Sequence, residues 1–297
     1  MQIASKAELP TFMKTELELI NICVLNAGYA KTSQEWKGTG LSSPFVRLYY
    51  IKAGHATIVM PDAQLEARPG YMYIVPSFVP HSITCEAGFE FYYLFVYERY
   101  GQQTDLFDIY SFPHEVEANH AIDLLFENYC NYYPQLNLPY RTAEEFYAHP
   151  SYQEYVVRYA NMDRYEKMQL QGFVWIVGSF FMKHAHKRID DIDDRVLRVI
   201  TYIKDNMQHE MTTESMADVA CVTKAHLGRL FRQTLGCSPI QFVLRTRIQC
   251  AQRLLVTTSR SVGAIAGEVG FNDVSYFVRL FRQKIGFTPQ EYRERLR

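Results

Sequence analysis

The sequence predicts an α+β chain in two parts. An antiparallel β-barrel with a helical arm comes first. An all-helical half follows, in which one two-helix unit occurs twice around a long connecting helix. Three observations predict this. Residues 40–100 carry short runs rich in β-branched and aromatic residues, separated by turn formers. Beyond Tyr100, apolar residues fall at helical spacing. A string near residue 227 returns near residue 277.

The strand runs are 45–51, 56–60, 71–75 and 89–97, with Ala53-Gly54, Pro61-Asp62, Pro69-Gly70 and Ala87-Gly88 as breaks. Short strands at this spacing predict a small barrel or sandwich. Helical spacing covers 117–131, 142–160 and 163–186. In the last segment Leu170, Phe173, Val174, Val177, Phe180 and Phe181 make one apolar stripe. Residues 184–194 (HAHKRIDDIDD) read as a charged linker. His184 and His186 stand two apart, so a helix would point their rings to different faces, and no metal is expected there. The expected domains are 1–186, with the barrel at about 1–100 and the arm at about 115–186, and 192–297. No strand alternation is visible from 195 onward.

The chain has 297 residues and a formal net charge of −1, but the charge is not evenly spread. Residues 1–185 hold 13 Lys and Arg against 20 Asp and Glu; residues 186–297 hold 18 against 12. From Cys221 onward there are 13 basic and 4 acidic residues, which points to a polyanion partner for that half. The six cysteines show neither paired spacing nor histidine neighbours, so they read as reduced thiols rather than a disulfide or zinc framework. The opening MQIASKAELP lacks a basic stretch followed by an apolar one. The longest apolar run, 172–182, falls short of the ~20 residues that a bilayer needs. A cytoplasmic protein with no membrane partner is therefore expected.

The repeat carries the functional reading. LGRLFRQTLGCSP at 227–239 returns as FVRLFRQKIGFTP at 277–289, identical at seven of thirteen positions. Each copy follows a short apolar-faced helix, marked by Met216, Ala217 and Ala220 and by Ile265, Ala266 and Val269. Gly270 supplies a turn where positive φ is tolerated, and Asn272-Asp273 caps the next helix. These are two helix-turn-helix units, at about 212–236 and 261–286. In their second helices Leu227, Leu230, Phe231 and Leu235, and Phe277, Leu280, Phe281 and Ile285, are expected inside.

The opposite faces carry Lys224, Ala225, Gly228, Arg229 and Arg232, and Val274, Ser275, Val278, Arg279 and Arg282. Such a short or cationic stripe suits a major groove about 12 Å wide, where Arg bonds guanine or phosphate. Ser238-Pro239 and Thr288-Pro289 open new helices with capping boxes. The helix from Pro239 to about Val256 would join the two units rigidly.

Residues 192–297 resemble the AraC/XylS family of bacterial transcription regulators. IAGEVGFNDVSYFVRLFR at 265–282 and GFTP at 286–289 match its signature. The resemblance implies base-facing positions at Ala225, Gly228 and Arg229, and at Val274, Ser275 and Arg279. Ala225 and Gly228 offer no side-chain hydrogen bonds, which leaves readout by the first unit to Arg229 and DNA shape.

GHATIVMPD at 54–62 and RPGYMYIVPSFVPH at 68–81 resemble the cupin-like, arabinose-regulator-type sensor barrel found before this unit. Gly70, Pro76 and His81 keep the spacing of the second cupin motif. Phe78 stands where that motif has Gly, Cys85 where it has Asn, and the HxH and Glu metal ligands of the first motif are missing near 40–60. No metal, cofactor or enzyme chemistry is expected. The inward candidates for a ligand are Arg47, Tyr49, Tyr71, Tyr73, Phe91, Tyr93 and Phe95, with Trp36 at the mouth and His81 at the rim. The resemblance adds Ser82 and again points to Tyr93 and Phe95.

The expected function is a ligand-responsive, sequence-specific DNA-binding transcription regulator that senses a sugar or related metabolite and controls carbohydrate-utilisation genes. Its expected partners are a double-stranded DNA operator, a carbohydrate-type effector, a second copy joined through the helical arm, and RNA polymerase. Alternatives stay open: a barrel that only dimerises or senses a non-sugar metabolite, or a cupin enzyme fused to a DNA-binding half.

Overall fold

The computed structural model describes residues 22–98, 107, 110–138, 152–187 and 193–295. Its first part contains two large antiparallel sheets beside one two-stranded ladder. The larger has the order β1 (Ile22–Lys31), β8 (Glu90–Glu98), β3 (Val46–Ala53), β6 (Tyr71–Val75), β10 (Glu115–Glu117). The smaller has the order β2 (Trp36–Leu41), β7 (His81–Cys85), β4 (Ala56–Met60), β5 (Ala63–Ala67). Of the expected barrel or sandwich, the two sheets are present, and no ladder joins them among the described residues. Each keeps its own edge strands, and they face each other as a sandwich. The Tyr73 hydroxyl spans the gap, donating to the Glu66 carbonyl of β5 at 3.1 Å and accepting from the Arg68 amide at 3.2 Å.

Burial explains the strand sequences. The strand β7 alternates, with His81, Ile83 and Cys85 inward and Ser82 and Thr84 outward. By contrast β3 is buried along Arg47–Ile51 on both faces, because helices cover the outside of the larger sheet. These are α1 (His120–Tyr132), α2 (Tyr152–Asn161) and α3 (Arg164–Met182). Phe126 of α1 stacks on Tyr50 at 5.6 Å and meets Phe173 of α3 edge-on at 5.0 Å. The apolar run 172–182 lies within α3, and Phe173, Val174, Val177 and Phe181 are buried. Residues 142–151 of the expected second helix lie outside the described residues.

The expected linker begins later than its charges indicate. His186–Lys187 forms β11, paired with β9 (Tyr110–Ser111), so its backbone groups are satisfied in a ladder. Residues 188–192 lie outside the described residues. From Asp194 onward the regular structure described is helical: α4 (Asp194–Asp205), α5 (Thr213–Val219), α6 (Lys224–Leu235), α7 (Pro239–Thr257), α8 (Val262–Glu268), α9 (Val274–Ile285) and α10 (Pro289–Arg295).

The two units differ at their turns. The first helices, α5 and α8, are offset by 49 residues, whereas α6 and α9 are offset by 50. The second turn is one residue longer. Gly270 takes φ +88, and a Cβ there would lie 2.2 Å from the Met207 carbonyl oxygen. The matching position of the first unit is Cys221, which takes φ +53 without being glycine. Two substitutions should therefore move stability in opposite directions. Gly270→Ala is expected to cost at least ~2 kcal/mol through left-handed strain and the backbone clash. Cys221→Gly is expected to gain ~1 kcal/mol by relieving the left-handed penalty. Chemical denaturation of both variants checks this, and the same sign for both would contradict it.

Candidate nucleic-acid interface and effector cavity

Both exposed helices are built to begin and end sharply. The Thr223 hydroxyl accepts from the His226 amide at 3.3 Å at the start of α6. Asp273 accepts from the Ser275 and Tyr276 amides at 2.8 and 3.1 Å at the start of α9. Gly236 and Gly286 end them in left-handed caps, at φ 67 and 87. Leu227, Phe231, Phe277, Leu280 and Phe281 are buried, while Leu230, Leu235 and Ile285 are half-buried.

The opposite faces lie where the spacing places them. Lys224, Ala225, Arg229, Arg232, Val274, Ser275, Arg279 and Arg282 are exposed; Gly228 and Val278 are half-buried. Lys224 pairs with Glu214 of α5. A guanidinium nitrogen of Arg229 lies 3.3 Å from His226 Nδ1. Arg279 makes no ion pair among the described residues. Tyr276, beside Ser275, is also exposed and was not expected on this surface. An aromatic at a helix start reads as core; its place next to Phe277 rather than on that residue's stripe was the available signal.

The helix α7 connects the two units. It is 19 residues long, about 28 Å at 1.5 Å per residue. Phe242, Val243, Ile248, Ala251, Leu255 and Val256 are buried along it. Three polar ties anchor it. Arg247 donates to the His209 carbonyl at 2.7 Å and stacks 5.6 Å above Phe271 in the second turn. Gln252 donates to the Tyr292 hydroxyl at 3.2 Å. Arg293 of α10 donates to the carbonyls of Leu255 and Arg260, at 3.1 and 2.6 Å.

In the sandwich, the expected ligand residues separate into core and rim. Tyr49 meets Phe91 and Phe95 edge-on at 5.8 and 6.1 Å, and Tyr93 lies 5.3 Å from Phe95. Tyr73 is fully buried with its hydroxyl bonded on both sides. The Tyr93 hydroxyl accepts from the Leu138 amide at 2.8 Å, in space that only Gly28 leaves open. Ser82 needs correction: it sits on the outer face of β7, opposite Val59, because the pleat sends His81 inward instead.

At the rim, the half-buried Trp36 lies over Gly38 and Tyr71 lies beneath the Arg68 guanidinium at 4.1 Å. His81 is 4% exposed, and its Nδ1 is 3.1 Å from the Val79 carbonyl. Its Nε2 is buried with no hydrogen-bond partner among the described residues. Burial, reinforced by the Arg47 charge, lowers its pKa to about 4, so the ring is neutral near pH 7.

Arg47 is 1% exposed, held by Ser43 Oγ at 3.1 Å and by the rings of Phe45 and Phe95 at 5.4 and 5.2 Å. It also lines a cavity of about 960 Å³ between the sandwich and the helical half. Phe78 and Pro80 contribute on the sandwich side, and α7 forms much of the other wall. Beside the cavity, the Arg253 guanidinium of α7 lies 5.2 Å above the Phe78 ring. Among the described residues, no three His, Cys, Asp or Glu side chains are grouped to hold a metal ion. No helix there is long and apolar enough to cross a membrane.

Comparison with known proteins agrees with this geometry. Residues 216–295 match the model of a helix-turn-helix domain family. The chain is 35% identical over 103 residues to the arabinose operon regulatory protein of Escherichia coli, covering 34% of this chain and 35% of that one. It is 29% identical over 124 residues to the lactose operon transcription activator of Staphylococcus xylosus, covering 42% and 44%. The chain thus spans less than half the length of the curated relatives it matches. ToxT from Vibrio cholerae shares the fold across both parts: TM-score 0.50, 15% identity, 93% of this chain and 98% of that one. Residues 216–295 thus carry a helix-turn-helix domain similar to that of the arabinose operon regulatory protein.

Proposed function

We propose that the protein is an effector-responsive transcription regulator that binds DNA sequence-specifically through α6 and α9 together. The observation that carries this reading is a pair of capped helices with short or cationic outer faces, held on one buried connecting helix. On DNA, the N-terminal halves of α6 and α9 enter successive major grooves. Arg229 and Arg279 donate to base edges, and Lys224, Arg232 and Arg282 hold phosphates. No step of this function requires catalysis. The relatives named for the arabinose and lactose operons support a sugar-type effector and carbohydrate-utilisation genes as targets.

The helical arm supplies the dimer contact in this reading. Tyr165, Met168, Gly172 and Ile176 fall on one stripe of α3, and Met168 is 71% exposed. With glycine at its middle, the stripe lets a second copy of the same helix approach closely in antiparallel order. Met168→Glu combined with Ile176→Glu should give a monomer in sedimentation equilibrium; an unchanged dimer contradicts this face.

Arg279→Ala tests the DNA reading. It should weaken binding to a selected site by roughly 1–3 kcal/mol while changing binding to random duplex much less. An equal loss on both would leave Arg279 a phosphate contact and remove its role in sequence choice.

A further inference from the structure

The two reading helices differ beneath their arginines. Offset by 50 residues, His226 of α6 corresponds to Tyr276 of α9, and Arg229 to Arg279. His226 is half-buried and stands three residues before Arg229, on the same side of the helix. A terminal guanidinium nitrogen of Arg229 lies 3.3 Å from His226 Nδ1. Arginine can only donate, so Nδ1 accepts, and a ring in this contact is neutral with its proton on Nε2. The contact uses one of the five guanidinium N–H groups. Two of the remaining four suffice for a bidentate bond to guanine. The backbone below is fixed as well, because the His226 amide donates to the Thr223 hydroxyl. In α9 the matching ring, Tyr276, leans on Phe271 at 6.0 Å instead.

The charges around His226 come from three elements. On its own helix are Arg229 and Lys224, and Lys224 pairs with Glu214 of α5. At the start of α4, the Asp193 carboxylate caps the helix and is forked to Arg195. Arg195 chiefly, and His226 in smaller part, hold that carboxylate well below the usual range. The helix α7 meets α6 through the Phe242 and Phe231 rings, at 6.0 Å. The imidazole thus stands between a guanidinium and a carboxylate.

We propose that His226 is a positioning residue for DNA readout: its neutral ring aims Arg229 at a base edge, and protonation releases that aim. The proposal rests on the base-reading role given to Arg229 above. Histidine is the side chain whose charge changes between about pH 5 and 8. With a proton on Nδ1 the ring has no acceptor left, repels the guanidinium and is drawn to Asp193. Arg229 then keeps its charge and loses its direction, while the added positive charge still attracts phosphate. Base choice by the first unit therefore falls as pH falls, and affinity for random duplex holds or rises. Base choice by the second unit, with Tyr276 in that place, stays level.

The test uses the full chain and duplexes enriched from a random library. Arg229→Ala and Arg279→Ala first assign the base positions. A base substitution that weakens binding by the unmodified chain but not by the Arg229→Ala chain marks the first unit's contact. Fluorescence anisotropy then gives the ratio of affinities for the selected base and its substitute, from about pH 8 to about pH 5.5. At the first unit's position that ratio should fall about three- to tenfold, as for one lost hydrogen bond, and at the second's it should stay constant. His226→Asn puts an amide oxygen near the place of Nδ1 and should hold the high ratio at every pH. His226→Phe keeps a ring without an acceptor and should give the low ratio at every pH, with the melting temperature of the unmodified chain.

A fall that persists in His226→Phe, or one of equal size at both positions, overturns the proposal. So does a high ratio in His226→Phe where Arg229→Ala relaxes base choice, an outcome that leaves Arg229 a base reader aimed by something else. If Arg229→Ala weakens selected and random duplexes equally, the base-reading role itself fails, and the positioning role fails with it.

Discussion

The arrangement depends on the burial of α7. This helix carries two guanidinium-based anchors, Arg247 within it and Arg293 packed onto its C-terminal end, in places where water cannot solvate them. Each is held by backbone carbonyls, so the bonds form only when the neighbouring loops sit correctly. Removing a carbonyl partner would leave a buried charge underbonded, a penalty of several kcal/mol. Desolvation pulls the Arg247 pKa down, but from a value so high that the group stays charged. Apolar contact along Phe242, Val243, Ile248, Ala251 and Leu255 does the rest. The outcome is a fixed distance and rotation between α6 and α9, which neither helix could secure alone.

The same helix is also the contact with the sandwich. Arg253 stacks on Phe78, a residue held at φ +64, and the buried Tyr97 hydroxyl meets Thr257 and Arg253. Its N-terminal half borders the cavity that Arg47 enters from the other side. The helix α7 packs on both helix-turn-helix units as well as on the sandwich.

The sequence was most readable where physical rules act locally. In the helical half, caps such as Ser238 and Asp273 and the stripe of Leu227 and Phe231 state their roles within a few residues. Cys221 escaped notice because nothing in a cysteine announces left-handed backbone; only the turn it completes imposes it. In the sandwich, β5 and β7 alternate but sit among turn residues, and β1 is buried on both faces under helices far along the chain. Ser82 was misplaced because face depends on pleat parity, which a resemblance between motifs does not settle. The cavity could not be read at all. Its walls come from residues 40–80 and 236–295, brought together only by packing.

The most direct test of the spine is the shape of the DNA it selects. Duplexes enriched from a random library by the full chain should carry two short motifs about 10 base pairs apart, centre to centre, on one face. Insertion of about half a helical turn between them should abolish tight binding, because α7 cannot lengthen or rotate to match the new spacing. A single motif with no fixed companion, or binding indifferent to the insertion, would contradict a rigid connection between the two readers.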